Sequence, residues 1–157
     1  MSRNEVRIDA PVDTVFAVLR DPRRYADWVV GAVRIRTVDD GFPAPGTRFG
    51  HKIGFWPLLI QDETEVVDSD GEHRLTLRAE IGAFGAATVD LRLEPVEDAT
   101  CTLVTMTERP VTGPIRWVHN PLQDRAFWLR NWLSLLLLKR IAEGRASEPH
   151  ELSGEPR

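Results

Sequence analysis

Cysteine is almost absent: Cys101 is the single thiol in 157 residues. An internal disulfide is therefore impossible, and a disulfide-stapled scaffold is excluded. Four histidines and one cysteine are too few for a zinc ribbon or an iron–sulfur cluster. Lysine is scarce too, and acids outnumber bases, 24 to 20, for a formal net charge of −4. A general nucleic-acid binder wants a basic field, so no nucleic-acid partner is expected. A long clean hydrophobic run is also missing. The most apolar stretch, 126–142, is interrupted by Arg130, Asn131 and Lys139. It falls short of the ~20 apolar residues of a membrane helix, so no stable membrane insertion is expected. Charges break up the opening MSRNEVRIDAPVD, which has no signal-peptide core. A cytoplasmic protein is the expectation. GFPAPG (41–46) lacks the spacing of a phosphate loop, and HExxH and CxxC are absent, so no nucleotide or metal cofactor is expected.

What is present suits one domain with a sizeable core: 42% of the residues are hydrophobic. Tyrosine occurs once, but tryptophan occurs five times. The domain is expected over 1–145, with a polar, disordered tail over 146–157. A short first strand spans 6–9. Pro11 then suits a first helical turn, and Val12, Val15, Phe16 and Leu19 recur at helical spacing. Asp21-Pro22 ends that helix and caps a second short one running to about Trp28. From Gly31 to Arg109 the pattern becomes strand-like, in about six runs broken by turn clusters. Asn120-Pro121-Leu122-Gln123 reads as a capping box opening a long helix to about Glu143, which Gly144 can terminate. The fold expected is α+β: a curved antiparallel sheet of about seven strands wrapped around a long C-terminal helix, with a cavity between them.

Three segments carry a resemblance. "IDAPVDTVFAVLRDPRRYADW" is similar to the N-terminal signature of the SRPBCC superfamily, the START-like and polyketide cyclase/dehydrase-like helix-grip proteins. "PAPGTRF" resembles its Gly-Thr-x-Phe strand entry, and "LEPVEDATCTLVTMTE" its late strand pair. The resemblance covers about 4–144. It implies the helix-grip fold and binding of hydrophobic small molecules such as polyketides, isoprenoids or lipids. Some members catalyse cyclisation, dehydration or hydrolysis. The motifs mark structural corners and name no reaction.

Strand parity supplies site candidates independently. Phe49, His51 and Ile53 share one face; Ile60, Asp62, Thr64 and Val66 share the inward face of the next strand. A tight corner at Trp56-Pro57 puts His51 opposite Asp62, and a looser loop puts it opposite Ile60 with Asp62 diagonal. Val104 and Met106 point inward, so Glu108 does as well, and Arg109 points out. The cavity-lining set is Trp28, Phe49, His51, Ile53, Ile60, Thr64, Leu77, Ala79, Ala87, Val89, Met106, Glu108, Trp117, Phe127, Trp128, Asn131, Trp132 and Leu135. Trp117 and His119 lie in the loop before the long helix, either as a flap or as a pinned connection. The Trp128/Trp132 pair fits core and cavity wall alike. The small residues Gly82, Ala83, Gly85, Ala86 and Ala87 leave room for a ligand or make a tight turn.

Two functions follow from these candidates. One is a carrier or chaperone for an apolar molecule. The other is a cyclase/dehydratase-type enzyme using His51, Asp62 and Glu108 for proton transfer. A third possibility, a protein-interaction module, requires a collapsed cavity. The chain is expected as a monomer or homodimer.

Overall fold

The structure, a computed structural model, describes residues 1–55, 58–80, 85–113 and 121–147. Strand β1 (Ser2–Ile8) leads into helix α1 (Val12–Leu19), a 3-10 turn (Pro22–Arg24) and helix α2 (Tyr25–Trp28). Six strands follow: β2 (Ala32–Val38), β3 (Arg48–Phe55), β4 (Leu58–Asp70), β5 (Arg74–Glu80), β6 (Ala86–Val96) and β7 (Cys101–Thr112). Helix α3 (Pro121–Ser147) completes the order. The strands form one antiparallel sheet, β1-β7-β6-β5-β4-β3-β2. Each neighbour after β1 is also the next in sequence, as short turns dictate. This is the helix-grip architecture.

Local chemistry sets the corners. The Asp21 carboxylate accepts from the Arg23 backbone N–H at 3.1 Å, with Pro22 opening the turn. Thr102 Oγ1 donates to the Ala10 carbonyl at 2.7 Å and fixes the exit of β1. Gly85 has φ +114, and a Cβ there would collide with the Thr112 backbone. Its small size is therefore required by the close approach of β6 to β7, not by a ligand.

One face of the sheet is buried, as alternation demands. Phe49, Val66, Leu75, Leu77, Leu91, Leu93, Val104 and Met106 pack with Val15, Phe16 and Leu19 of α1 and with Leu135, Leu138 and Ala142 of α3. Helix α3 lies chiefly on β1, α1 and α2, not over the middle strands. No helix among the described residues is long and apolar enough to cross a membrane.

Two boundaries differ from expectation. Strand β1 begins at Ser2, because Ser2 to Ile8 all pair with β7. Helix α3 runs through Gly144 to Ser147, past both the expected stop and the expected domain boundary at 145. Gly144 does not adopt a left-handed φ, and its penalty of ~1 kcal/mol relative to alanine is too small to break a long packed helix. The rest of the expected tail, 148–157, lies outside the described residues.

Candidate functional site

The β3–β4 register, which runs from Arg48↔Glu65 to Phe55↔Leu58, places His51 directly opposite Asp62. Both side chains turn to the concave face: His51 is 1% exposed and the Asp62 side chain 0%. His51 Nε2 lies 3.8 Å from Asp62 Oδ2. Asp62 Oδ1 accepts from the Glu63 backbone N–H at 2.7 Å. Burial disfavours the charged form of each group, lowering His51 to about 4 and raising Asp62 to about 7. Just below neutral pH both are neutral. The contact is then not an ion pair, and 3.8 Å is too long for a hydrogen bond.

Helix α2 roofs this pair. The Tyr25 ring meets Phe49 edge-on at 4.7 Å, Trp28 at 5.1 Å and His51 at 5.6 Å. Burial raises the Tyr25 phenol as well. Around this aromatic group, among the described residues, four buried polar atoms have no hydrogen-bond partner within 3.5 Å: Trp28 Nε1, His51 Nδ1, Asp62 Oδ2 and Thr64 Oγ1, although the Phe49 backbone also acts on the His51 ring. His51, Asp62 and Thr64 share the buried face of β3 and β4, and Trp28 joins them through the Tyr25 ring. An unpaired buried polar atom costs roughly 1–3 kcal/mol, and native folds leave few of them. Four together mark a place where the fold sacrifices stability.

A second polar group joins α3 to its surroundings. Asn131 Nδ2 donates to Glu108 Oε2 at 2.6 Å and meets Ser2 Oγ at 3.5 Å. Arg130 Nη1 donates to Glu108 Oε1 at 3.4 Å, and its Nε donates to the Val30 carbonyl at 3.2 Å. Ser134 Oγ accepts from the Val30 N–H at 3.0 Å. Both Glu108 oxygens are thus engaged, and the end of α2 is pinned to α3. Arg130 was missed in the sequence, although an arginine within the apolar run beside Asn131 was the signal for it. Its charge reaches Tyr25, His51 and Asp62.

The other candidates divide. Trp28, Phe49, Thr64, Leu77, Ala87, Val89, Met106, Glu108, Asn131 and Leu135 are buried. Ala79 and Phe127 are half-buried. Trp128 and Trp132 are 47% and 38% exposed and stack on each other, with ring centroids 6.2 Å apart and planes 5° apart. The buried positions of α3 are Asn131, Ser134, Leu135, Leu138 and Ala142, and both indoles lie among exposed positions with Leu129 and Leu133. The side chains of Ile53 and Ile60, and Trp56, Trp117 and His119 entirely, lie outside the described residues.

A groove of 710 Å³ borders β2–β5 and is lined largely by charged groups such as Arg36, Arg48, Glu63, Glu65, Arg78 and Glu80. Strand parity puts β3 to β5 residues of this set on the outer face. Arg48 pairs with Glu63 at 3.3 Å and with Glu65 at 3.0 Å; Arg78 pairs with Glu80 at 3.2 Å. His51 and Asp62 also border the groove, but their side chains are shut away from it by burial. The groove is a solvated ionic surface, and the uncommon chemistry lies on the concave side. Among the described residues no group of three or more histidines, cysteines and acids could hold a metal ion.

Comparison with solved structures agrees with this fold. A conserved protein from Geobacillus kaustophilus superposes with a TM-score of 0.70 at 16% identity, covering 90% of this chain and 94% of that one. A protein from Helicobacter pylori gives 0.70 at 17% identity, covering 90% and 86%. DynU16, a protein of the dynemicin biosynthetic locus, gives 0.66 at 21% identity; the match covers 92% of this chain and 48% of that one. At such identities the likeness shows the fold alone. A search of the curated proteins finds no match. The family model described as "Polyketide cyclase / dehydrase and lipid transport" matches residues 2–133, the whole of the sheet and about half of α3. The chain belongs to that family.

Proposed function

We propose that the protein binds a hydrophobic small molecule between the concave face of the sheet and α3, with a polar end of the ligand against Trp28, His51, Asp62 and Thr64, and acts as its carrier or chaperone. The four unpartnered buried polar atoms carry this reading. Surrounding them with Tyr25, Phe49, Leu77 and Met106 gives the composition of a small-molecule site: apolar walls and a few placed polar groups. Membership of a family described by cyclase, dehydrase and lipid-transport functions supports it. Native mass spectrometry of freshly purified protein tests it. The expected result is a bound small molecule released on denaturation and lost in a Trp28→Phe/Thr64→Val variant. Equal retention by that variant overturns the reading.

One observation favours proton-transfer catalysis as a second reading. Asp62 is raised to about 7 and sits opposite a neutral His51, so it can give or take a proton near neutral pH. Glu108 has no comparable freedom, since Asn131 and Arg130 engage both of its oxygens. The enzyme would therefore rest on His51 and Asp62. Turnover lost in Asp62→Asn with ligand binding retained supports it; unchanged turnover contradicts it.

A further inference from the structure

We propose that the inner end of this site takes a neutral carbonyl or hydroxyl oxygen, held by the Trp28 indole N–H, the Thr64 hydroxyl and the Asp62 carboxyl opposite His51, and that it rejects carboxylates and phosphates. The proposal rests on the reading that the interior binds a small molecule, and it adds the chemistry of the end that enters first.

The donor and acceptor inventory decides for oxygen over hydrocarbon. An indole N–H can only donate, so Trp28 Nε1 needs an acceptor. The Thr64 hydroxyl can donate or accept. Asp62 Oδ1 is already taken by the Glu63 N–H, which leaves Oδ2 to face the site. A protonated Asp62 donates from that oxygen to a carbonyl, as the raised carboxyl permits. His51 Nδ1 is left to receive from, or give to, a hydroxyl. A purely apolar ligand end would satisfy none of the four.

The charges decide for neutral over anionic. Burial, with a smaller push from Glu80 and Glu63 on the outer face, holds Asp62 toward its neutral form, and Glu108 on β7 acts on Tyr25. Tyr25 and His51 are both held neutral by burial. Arg130 on α3 is the cation whose field reaches the pair, and it is engaged by Glu108 and the Val30 carbonyl. An incoming carboxylate would bury its charge beside neutral groups and, among the described residues, meet no unengaged cation.

Three probes of nearly one shape separate these cases: 2-acetylnaphthalene, 2-ethylnaphthalene and 2-naphthoate. The full-length protein is labelled with nitrogen-15, and the Trp28 indole resonance is identified as the one missing from Trp28→Phe. At pH 6 the ketone is expected to bind at least ~10-fold more tightly than the hydrocarbon or the carboxylate, and to shift the Trp28 indole signal. Asp62→Asn, whose amide still donates, keeps the preference; Asp62→Leu loses it. Ketone affinity falls as pH rises past about 7 in the native protein and stays level in Asp62→Asn. Equal binding of ketone and hydrocarbon, or tightest binding of naphthoate, overturns the proposal and leaves interior binding intact. Failure of all three probes to move the Trp28 signal overturns interior binding of such molecules, and the proposal with it.

Discussion

His51 Nε2 stands 3.8 Å from Asp62 Oδ2 on directly paired residues of β3 and β4, and neither side chain reaches solvent. Two ionisable groups are thus buried side by side without a hydrogen bond between them. Replacing such a pair with apolar residues commonly leaves a fold equally or more stable. Its retention in the middle of an aromatic patch is what the functional account explains.

The pair predicts pH behaviour of opposite sign in two variants. Unfolded, His51 titrates near ~6.5 and Asp62 near ~3.9. Folded, they are moved to about 4 and about 7. Between about pH 4 and 6.5 the unfolded chain holds one proton on His51, and the folded chain holds one on Asp62. The proton counts match, so the native pair leaves stability level across that window.

Removing either partner exposes the other. In Asp62→Asn the depressed His51 makes stability fall as pH drops from 6.5 toward 4. In His51→Gln the raised Asp62 makes it fall as pH climbs from 4 toward 7. Each slope approaches about 1.4 kcal/mol per pH unit. Urea unfolding at two pH values within the window measures both. Slopes of the same sign contradict the assignment.

Glu108 predicts a stability loss when its bonds to α3 are removed. Glu108→Ala takes from Asn131 Nδ2 its 2.6 Å acceptor, leaving only the 3.5 Å contact with Ser2, and takes from Arg130 its carboxylate, at a cost of about 2–4 kcal/mol. Glu108→Gln keeps one acceptor and costs less. Chemical denaturation of the two variants checks the order.

The tryptophans should separate sharply. Trp28→Ala empties a packed core position and costs about 3–5 kcal/mol. Trp128→Ala and Trp132→Ala remove half-open stacked rings and cost about 1 kcal/mol or less each, with ligand retention unchanged. A large loss of ligand in Trp132→Ala would return that indole to the site.

Gly144→Ala is expected to stabilise. The glycine lies within α3, its φ is not left-handed, and nothing stands within 4 Å of an added Cβ. The gain is a few tenths to about 1 kcal/mol, reduced by nearness to the helix end. Thermal unfolding of the single variant measures it.

Strand parity made much of the site legible. Period-two alternation in β3 and β4 fixes which side chains share a face, so His51, Asp62 and Thr64 fell inward together. The same logic placed Glu108. Helix α3 was not legible in this way. A sequence apolar nearly all round gives no preferred face, and the inward arc became visible only where α3 meets β1 and α1. Arg130 was overlooked for the same reason: its role depends on Val30 and Glu108, both distant in sequence. Of the five tryptophans, Trp28 lines the aromatic patch, the Trp128/Trp132 pair does not, and Trp56 and Trp117 lie outside the described residues.

The central claim is that the polar atoms under α2 are kept for a ligand and not for the fold. The double variant His51→Leu/Asp62→Val, followed in parallel by urea unfolding and native mass spectrometry, tests it most directly. The account predicts a midpoint at or above that of the native protein and no bound small molecule. A protein several kcal/mol less stable that still carries its ligand would contradict it.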